Sequence, residues 1–264
     1  MIKITAIEKK KRLYKVEFDN YNTIYVTEDT IVKYLMSKGS EFSQEELQEI
    51  EVFSNFSRGK NLAIYYISFK MRTKVEVIKY LQEHEIENKQ IASIINSLEE
   101  NKYIDDANYT ENFINSKIRA KSSGPYLIKQ KLKNKGVDNS LIDEKLTDLY
   151  TEEEQIDIAY GLAEKLVMQK SSKLPLNSLK NKVIQNLTNK GFSYSIAKIA
   201  LDALELEADN EIEEDLLNTD LAKALRRYSR KYEGYELKQR LFQAMARKGY
   251  DFDLINRKLN KLDF

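Results

Sequence analysis

Residues 124–136 read GPYLIKQKLKNKG. The stretch opens on a Gly-Pro turn, continues as a basic helix and closes on a Lys-Gly pair. Pro125 suits the first turn of a helix, where its missing N–H is no loss. Taking Gly136 as the reference, apolar residues lie eight and four places before it (Ile128, Leu132) and one, five, six and ten places after it (Val137, Leu141, Ile142, Leu146). The same offsets around Gly191 give Val183, Leu187, Phe192, Ile196, Ala197 and Leu201. Around Gly249 they give Leu241, Met245, Tyr250, Leu254, Ile255 and Leu259. A weaker copy centres on Glu85, with Val77, Leu81, Ile86, Ile91 and Ile95, and fails at Gln90. One set of offsets, used again and again, marks a single structural unit repeated along the chain.

Each unit reads as helix, turn, helix, because spacings of three and four put the apolar residues on one helix face. Lys135, Lys190 and Lys248 stand just before the three glycines, where a cation suits the negative end of a helix. The glycine supplies the left-handed backbone that ends many helices. Two places on, Asp138, Ser193 and Asp251 are good N-caps for the following helix. The Lys-Gly pairs are therefore read as helix punctuation. The predicted fold class is mainly α: tandem three-helix repeats in an elongated array, with a small N-terminal β-hairpin or sheet. The expected divisions are 1–60 for the strands and first helices, then repeats at 61–102, 103–150, 151–206 and 216–264.

Outside the repeats the pattern changes. Ile2, Ile4, Leu13, Val16, Phe18, Ile24, Tyr25 and Val26 mix alternation with β-branched and aromatic types. They predict two or three short strands, with turns at Lys9-Lys10-Lys11 and Asp19-Asn20. Thr27 caps a predicted helix through Met36, stopped by Gly39. Ser43 with Glu46 forms a capping box for a helix near 44–56, and a separate helix is expected from about Asn61 to Lys70. The acidic run from Asp202 to Asp215 reads as an exposed helix end and linker, with the last repeat starting near Asn218-Thr219-Asp220.

The 264 residues include one His, no Cys, two Pro and eight Gly. The absence of Cys excludes disulfides and thiolate metal sites and fits a reducing compartment. No apolar run is long enough to cross a bilayer, and the N-terminus lacks the apolar core of a signal peptide; the expected location is the cytoplasm. His84 alone supports neither a His/Cys metal site nor a convincing triad. No phosphate-cradling glycine motif occurs. The neighbouring carboxylates Asp105 and Asp106 read as helix caps rather than an acid–base pair. No catalysis and no cofactor are expected.

Forty-three cations against forty-two acids leave a net charge of +1, but the charges are unevenly placed. Lys117, Arg119, Lys121, Lys129, Lys131, Lys133 and Lys135 fall in a stretch without an acid. Lys223, Arg226, Arg227 and Arg230 follow three- and four-residue steps that read as one helical stripe, and Lys231 adds to the same unit. Like charges so grouped repel one another unless an anion relieves them. These twelve residues are the candidate contacts to a polyanion, DNA or an acidic protein surface.

The succession Tyr103-Ile104-Asp105-Asp106, then Phe113, Gly124-Pro125 and Ile128-x-x-x-Leu132-x-x-Lys135-Gly136-Val137 resembles the RecX family of bacterial recombination regulators. The Lys-Gly turns at 190–191 and 248–249 extend the resemblance, as does the strand-rich N-terminus of longer Gram-positive members. The resemblance implies tandem three-helix modules that bind the RecA recombinase, above all its filament on DNA, single- or double-stranded and without sequence preference. It implies modulation, usually inhibition, of RecA's ATPase, strand-exchange and co-protease activities, within homologous recombination, DNA repair and the SOS response. A monomer is the expected form. A free-standing DNA-binding helical protein and a helical protein–protein adaptor are the alternatives.

Overall fold

The structure, a computed structural model, describes residues 1–262; residues 263 and 264 of the expected last repeat lie outside that range. It divides into two compact units, Met1–Asn112 with Leu132–Ile142, and Phe113–Lys131 with Asp143 onward.

The first unit opens with β1 (Ile2–Lys10), β2 (Leu13–Phe18) and β3 (Thr23–Val26). They form an antiparallel meander in which Ile7 faces Val16 and Val16 faces Ile24. The first turn centres on Lys11, whose φ is +48°. After α1 (Glu28–Lys33), a two-residue β4 (Glu41–Phe42) pairs with β1 and completes a sheet of order β3-β2-β1-β4. This fourth strand is too short to carry an alternation signal. Alternation buries Ile4, Val16, Phe18 and Val26 on one face, against Met36, Phe42 and Ile50.

Two helix boundaries depart from the sequence reading. Thr27 caps α1 as expected, accepting from the Thr30 N–H, but the helix ends at Lys33 rather than Met36. The two helices expected at 44–56 and 61–70 are one, α2 (Gln44–Ser68), opened by the Ser43–Glu46 capping box. Gly59, a poor helix former by propensity, is helical within α2. A Cβ there would stand 2.5 Å from Ile94 Cδ1, so the glycine allows close helix approach. With α3 (Lys74–Glu83) and α4 (Asn88–Glu100), α2 encloses Ala63, Val77, Leu81, Ile86, Ile91, Ile94, Ile95, Leu98 and Ile104. Burying each of the larger side chains contributes about 1.5–3 kcal/mol. The turn after α3 shows why the copy around Glu85 is weak. Ile86 N–H donates to Leu81 O and Glu85 N–H to Gln82 O, the paired bonds of a Schellman turn, but the left-handed position (φ +60°) holds Glu85 rather than glycine.

The chain continues through α5 (Asp106–Arg119), α6 (Pro125–Asn134) and α7 (Asn139–Leu149). In the second unit follow α8 (Glu152–Lys170), α9 (Leu176–Asn189), α10 (Tyr194–Asp202), α11 (Asn210–Tyr228), α12 (Gly234–Arg247) and α13 (Phe252–Leu259). The turns after α6, α9 and α12 are built alike. Gly136, Gly191 and Gly249 have φ of +82°, +91° and +87°. Val137, Phe192 and Tyr250 return their N–H groups to Leu132, Leu187 and Met245. Asp138, Ser193 and Asp251 then cap the next helix.

The acidic run is less of a linker than its composition suggests. α11 starts at Asn210, capped by Asp209, and so includes Glu211, Glu213 and Glu214. Carboxylates in a first turn are favoured by the helix dipole. Glu213 also accepts from the Leu176 N–H at 2.5 Å, and Glu214 pairs with Lys258 at 2.7 Å. The last helices bury Leu217, Leu221, Leu237, Leu241, Met245, Tyr250, Leu254, Ile255 and Leu259.

Candidate nucleic-acid and partner interface

The Lys-Gly turns do more than end helices. In the first unit the Lys135-Gly136 turn sits on the start of α3. Thr73 Oγ1 donates to Lys135 O at 2.7 Å, and a Cβ on Gly136 would lie 2.5 Å from Val75 Cβ. In the second unit the Lys190-Gly191 turn sits on the start of α6. Gly124 N–H donates to Lys190 O at 2.8 Å and Tyr126 N–H to Gly191 O at 3.1 Å. The Lys248-Gly249 turn sits on the start of α9, where Ser178 Oγ donates to Lys248 O at 2.6 Å. Three times, the turn of one module closes over the N-terminus of the preceding module's middle helix. Glycine is required twice over, for the positive φ and for the approach of a neighbouring chain.

Some candidate cations are paired with carboxylates. Lys135 Nζ donates to Glu76 Oε1 at 2.8 Å and lies 5.6 Å from the Tyr109 ring centre. Burial alone would raise the Glu76 carboxyl, but hydrogen bonds from Lys135 and the Thr73 N–H hold it below its ordinary range. The same Glu76 bond raises Lys135. Lys248 makes the matching contact with Asp220 at 2.8 Å, and Tyr250 Oη donates to Asp220 at 2.9 Å. Burial opposes ionisation of Asp220 too, yet Lys248 and Tyr250 keep it low. Lys129 pairs with Asp143 at 2.7 Å, and Lys121 with Asp157 at 3.0 Å.

The remaining candidates are open. Arg119, Lys131 and Lys133 are exposed and have no carboxylate within 4.0 Å among the described residues. Lys117 rests 5.2 Å from the Phe113 ring centre. Lys223 reaches Asp220 only at 4.0 Å, an exposed contact worth little. Arg226 and Arg227 occupy the last turn of α11, with Arg227 5.7 Å from the Tyr228 ring centre. The expected single stripe does not hold: α11 ends at Tyr228, so Arg230 and Lys231 lie in the following turn. Arg226, Arg230 and Lys231 are exposed and lack carboxylate partners among the described residues.

The carboxylate pair at 105–106 is divided between two helix starts. Asp105 accepts from the Asn108 N–H at 2.8 Å, and Asp106 from the Lys74 N–H at 2.8 Å. Burial raises the Asp106 carboxyl, partly offset by that bond. Exposed His84 donates from Nδ1 to Tyr80 O at 2.8 Å. Among the described residues no helix is long and apolar enough to cross a membrane.

Successive three-helix modules, clasped by glycine turns and carrying cations without carboxylate partners among the described residues, define a helical-repeat protein. Family models for RecX match in three places: the first three-helix domain at residues 60–98, the second at 105–146 and the third at 211–259. Over 268 aligned residues the chain is 53% identical to "Regulatory protein RecX" of Lactococcus lactis subsp. lactis, covering 100% of this chain and 99% of that one. It is 46% identical to the protein of the same name from Streptococcus agalactiae serotype Ia, covering 98% and 99%. A crystal structure of regulatory protein RecX superposes with a TM-score of 0.64 at 29% identity, covering 76% of this chain and 100% of the other. The chain belongs to the RecX family.

Proposed function

We propose that this protein binds the RecA filament on DNA and lowers its ATPase, strand-exchange and co-protease activities without catalysing a reaction. The observation that carries this reading is its end-to-end similarity to regulators named RecX. The open cations supply the chemistry. Arg119, Lys131, Lys133, Arg226, Arg227, Arg230 and Lys231, with Lys117 and Lys223, meet phosphate or acidic filament surface. Each phosphate neutralised releases counterions and favours binding without reading sequence. Lys121 and Lys135 pair with carboxylates of neighbouring modules, and Lys129 with one of its own. The working units in this reading are the repeats at 61–102, 103–150, 151–206 and 216–264, on a cytoplasmic monomer. Several weak contacts on linked modules add through effective concentration, and preferential binding to one filament state shifts the population towards it.

The test is RecA's DNA-dependent ATPase, titrated with the protein. The wild type is expected to inhibit at amounts well below those of RecA, and the Arg226→Glu/Arg230→Glu variant to need at least about tenfold more. No effect of the wild type on ATPase or strand exchange at any ratio removes the reading. Salt-sensitive DNA binding with no effect on RecA favours a free-standing DNA-binding protein.

A further inference from the structure

The start of α2 carries charge opposite in sign to the candidate cations. Between Lys38 and Arg58 the sequence holds five acids, Glu41, Glu45, Glu46, Glu49 and Glu51, and no Lys or Arg. Helix-start chemistry accounts for part of this. Glu45 and Glu46 lie in the first turn, where the dipole favours them, and Glu46 closes the capping box with Ser43. Glu41 pairs with Lys3 at 3.5 Å. Glu49 and Glu51 stand beyond the first turn, exposed and with no cation within 4.0 Å among the described residues. Glu45 and Glu49 are one turn apart, and like charges at that spacing destabilise a helix.

Beside these acids runs a groove of about 680 Å³, walled by α2 and α4 and closed at one side by Tyr34 at the end of α1. Its floor is aromatic. Phe53 meets Tyr34 edge to face at 5.8 Å and Phe56 at 6.3 Å. Tyr34 packs on the core under the sheet and Phe56 on the core of the three-helix module, so Phe53 bridges the two. Val52 also lines the groove and is 62% exposed, which leaves most of its side chain free to be covered. Glu45 and Glu49 line it from α2. Two cations are near: Lys89 on the α4 wall, and Lys33, whose Nζ lies 3.7 Å from the Phe53 ring centre.

We propose that this groove receives an amphipathic helix of another protein, apolar on one face with Lys or Arg beside it. Both walls are helices presenting side chains, which suits a helix laid in the groove rather than an added strand. Apolar residues one turn apart cover Val52 and reach Phe53, and flanking cations meet Glu45 and Glu49. The acids select a cationic partner and repel an acidic one. The proposal does not rest on the RecA reading: it uses none of the basic candidates, and its test contains neither RecA nor DNA.

The experiment titrates the full chain into a fluorescent peptide of about 15 residues, Leu and Lys in amphipathic helical order, and follows anisotropy. A Leu-Glu peptide of the same pattern and a Ser-Lys peptide of the same charge are the control probes. The Leu-Lys peptide is expected to bind saturably, and both controls at least about tenfold more weakly. Glu45→Lys/Glu49→Lys should weaken Leu-Lys binding at least about tenfold, and Val52→Ser about 5- to 20-fold. Because Val52 is exposed, the thermal unfolding midpoint of Val52→Ser is expected to hold, which keeps the test decisive should charge reversal loosen the helix start. Glu207→Lys/Glu211→Lys, in the other acidic run, should bind as the wild type does. No saturable binding of the Leu-Lys peptide overturns the proposal, as does undiminished binding by either groove variant. Equal binding of a control peptide, or an equal loss in Glu207→Lys/Glu211→Lys, overturns it too. A dimer in analytical ultracentrifugation that Val52→Ser dissociates also overturns it, and assigns the groove to a second copy of this chain.

Discussion

Gly124→Ala puts a single methyl group into the clasp between the α9–α10 turn and the start of α6. A Cβ at Gly124 would stand 2.4 Å from both C and O of Gly191 and 2.5 Å from Phe192 N. All three are backbone atoms, so no side-chain rotation relieves the clash. Gly124 has little room to retreat, because Tyr150 Oη donates to Ser123 O at 3.1 Å and Pro125 already begins the helix. The turn must lift, weakening the bonds from Gly124 N–H to Lys190 O and from Tyr126 N–H to Gly191 O. Overpacking of this kind costs about 1–3 kcal/mol, and each hydrogen bond lost adds about 0.5–1.5 kcal/mol. The expected destabilisation is about 2–6 kcal/mol. Gly124 is not among the positive-φ positions, so the cost is steric rather than conformational. Modular chains need not unfold in one step, so urea denaturation is to be paired with hydrogen exchange. The Gly124 (now Ala) and Tyr126 amides should lose protection before the helix cores do. Retained protection at both amides, with a stability change under about 0.5 kcal/mol, would refute the clasp.

Two further perturbations probe the same architecture. Gly161 lies inside α8, and a Cβ there meets nothing within 4 Å; Gly161→Ala should therefore stabilise by about 0.8–1 kcal/mol in urea titrations. Glu76 ionises below its ordinary range in the folded protein, so its contribution is present above the unfolded value, near 4.5, and fades as pH falls through the lower folded value. The stability gap between wild type and Glu76→Gln, on the order of 1 kcal/mol at neutral pH, should narrow progressively in denaturation series taken below that unfolded value; a gap that stays constant throughout the acid series contradicts the assignment.

Local order in this protein is written in short-range pattern. The offsets around Gly136, Gly191 and Gly249 place the buried residues of α6, α9 and α12 and of the helices after them, because helical periodicity and left-handed glycine caps depend only on near neighbours. The capping boxes at Ser43 and the N-caps at Asp138, Ser193 and Asp251 are legible for the same reason. The grouping of cations is equally visible in the chain. What each cation does is not: Lys129 and Lys131 look alike in sequence, yet one meets Asp143 and the other is open.

The tertiary structure alone decided the rest. Gly59 is a helix breaker by propensity, but packing against Ile94 keeps it inside α2, since burial outweighs the ~1 kcal/mol of helix propensity it lacks. The acidic run after Asp202 becomes the start of α11 because Glu213 and Glu214 find partners on α9 and α13. The second role of the Lys-Gly pairs, as clasps between modules, depends on residues such as Thr73, Leu127 and Ser178. Their partners lie dozens of positions away, and contact at that range leaves no period for a sequence reading to find.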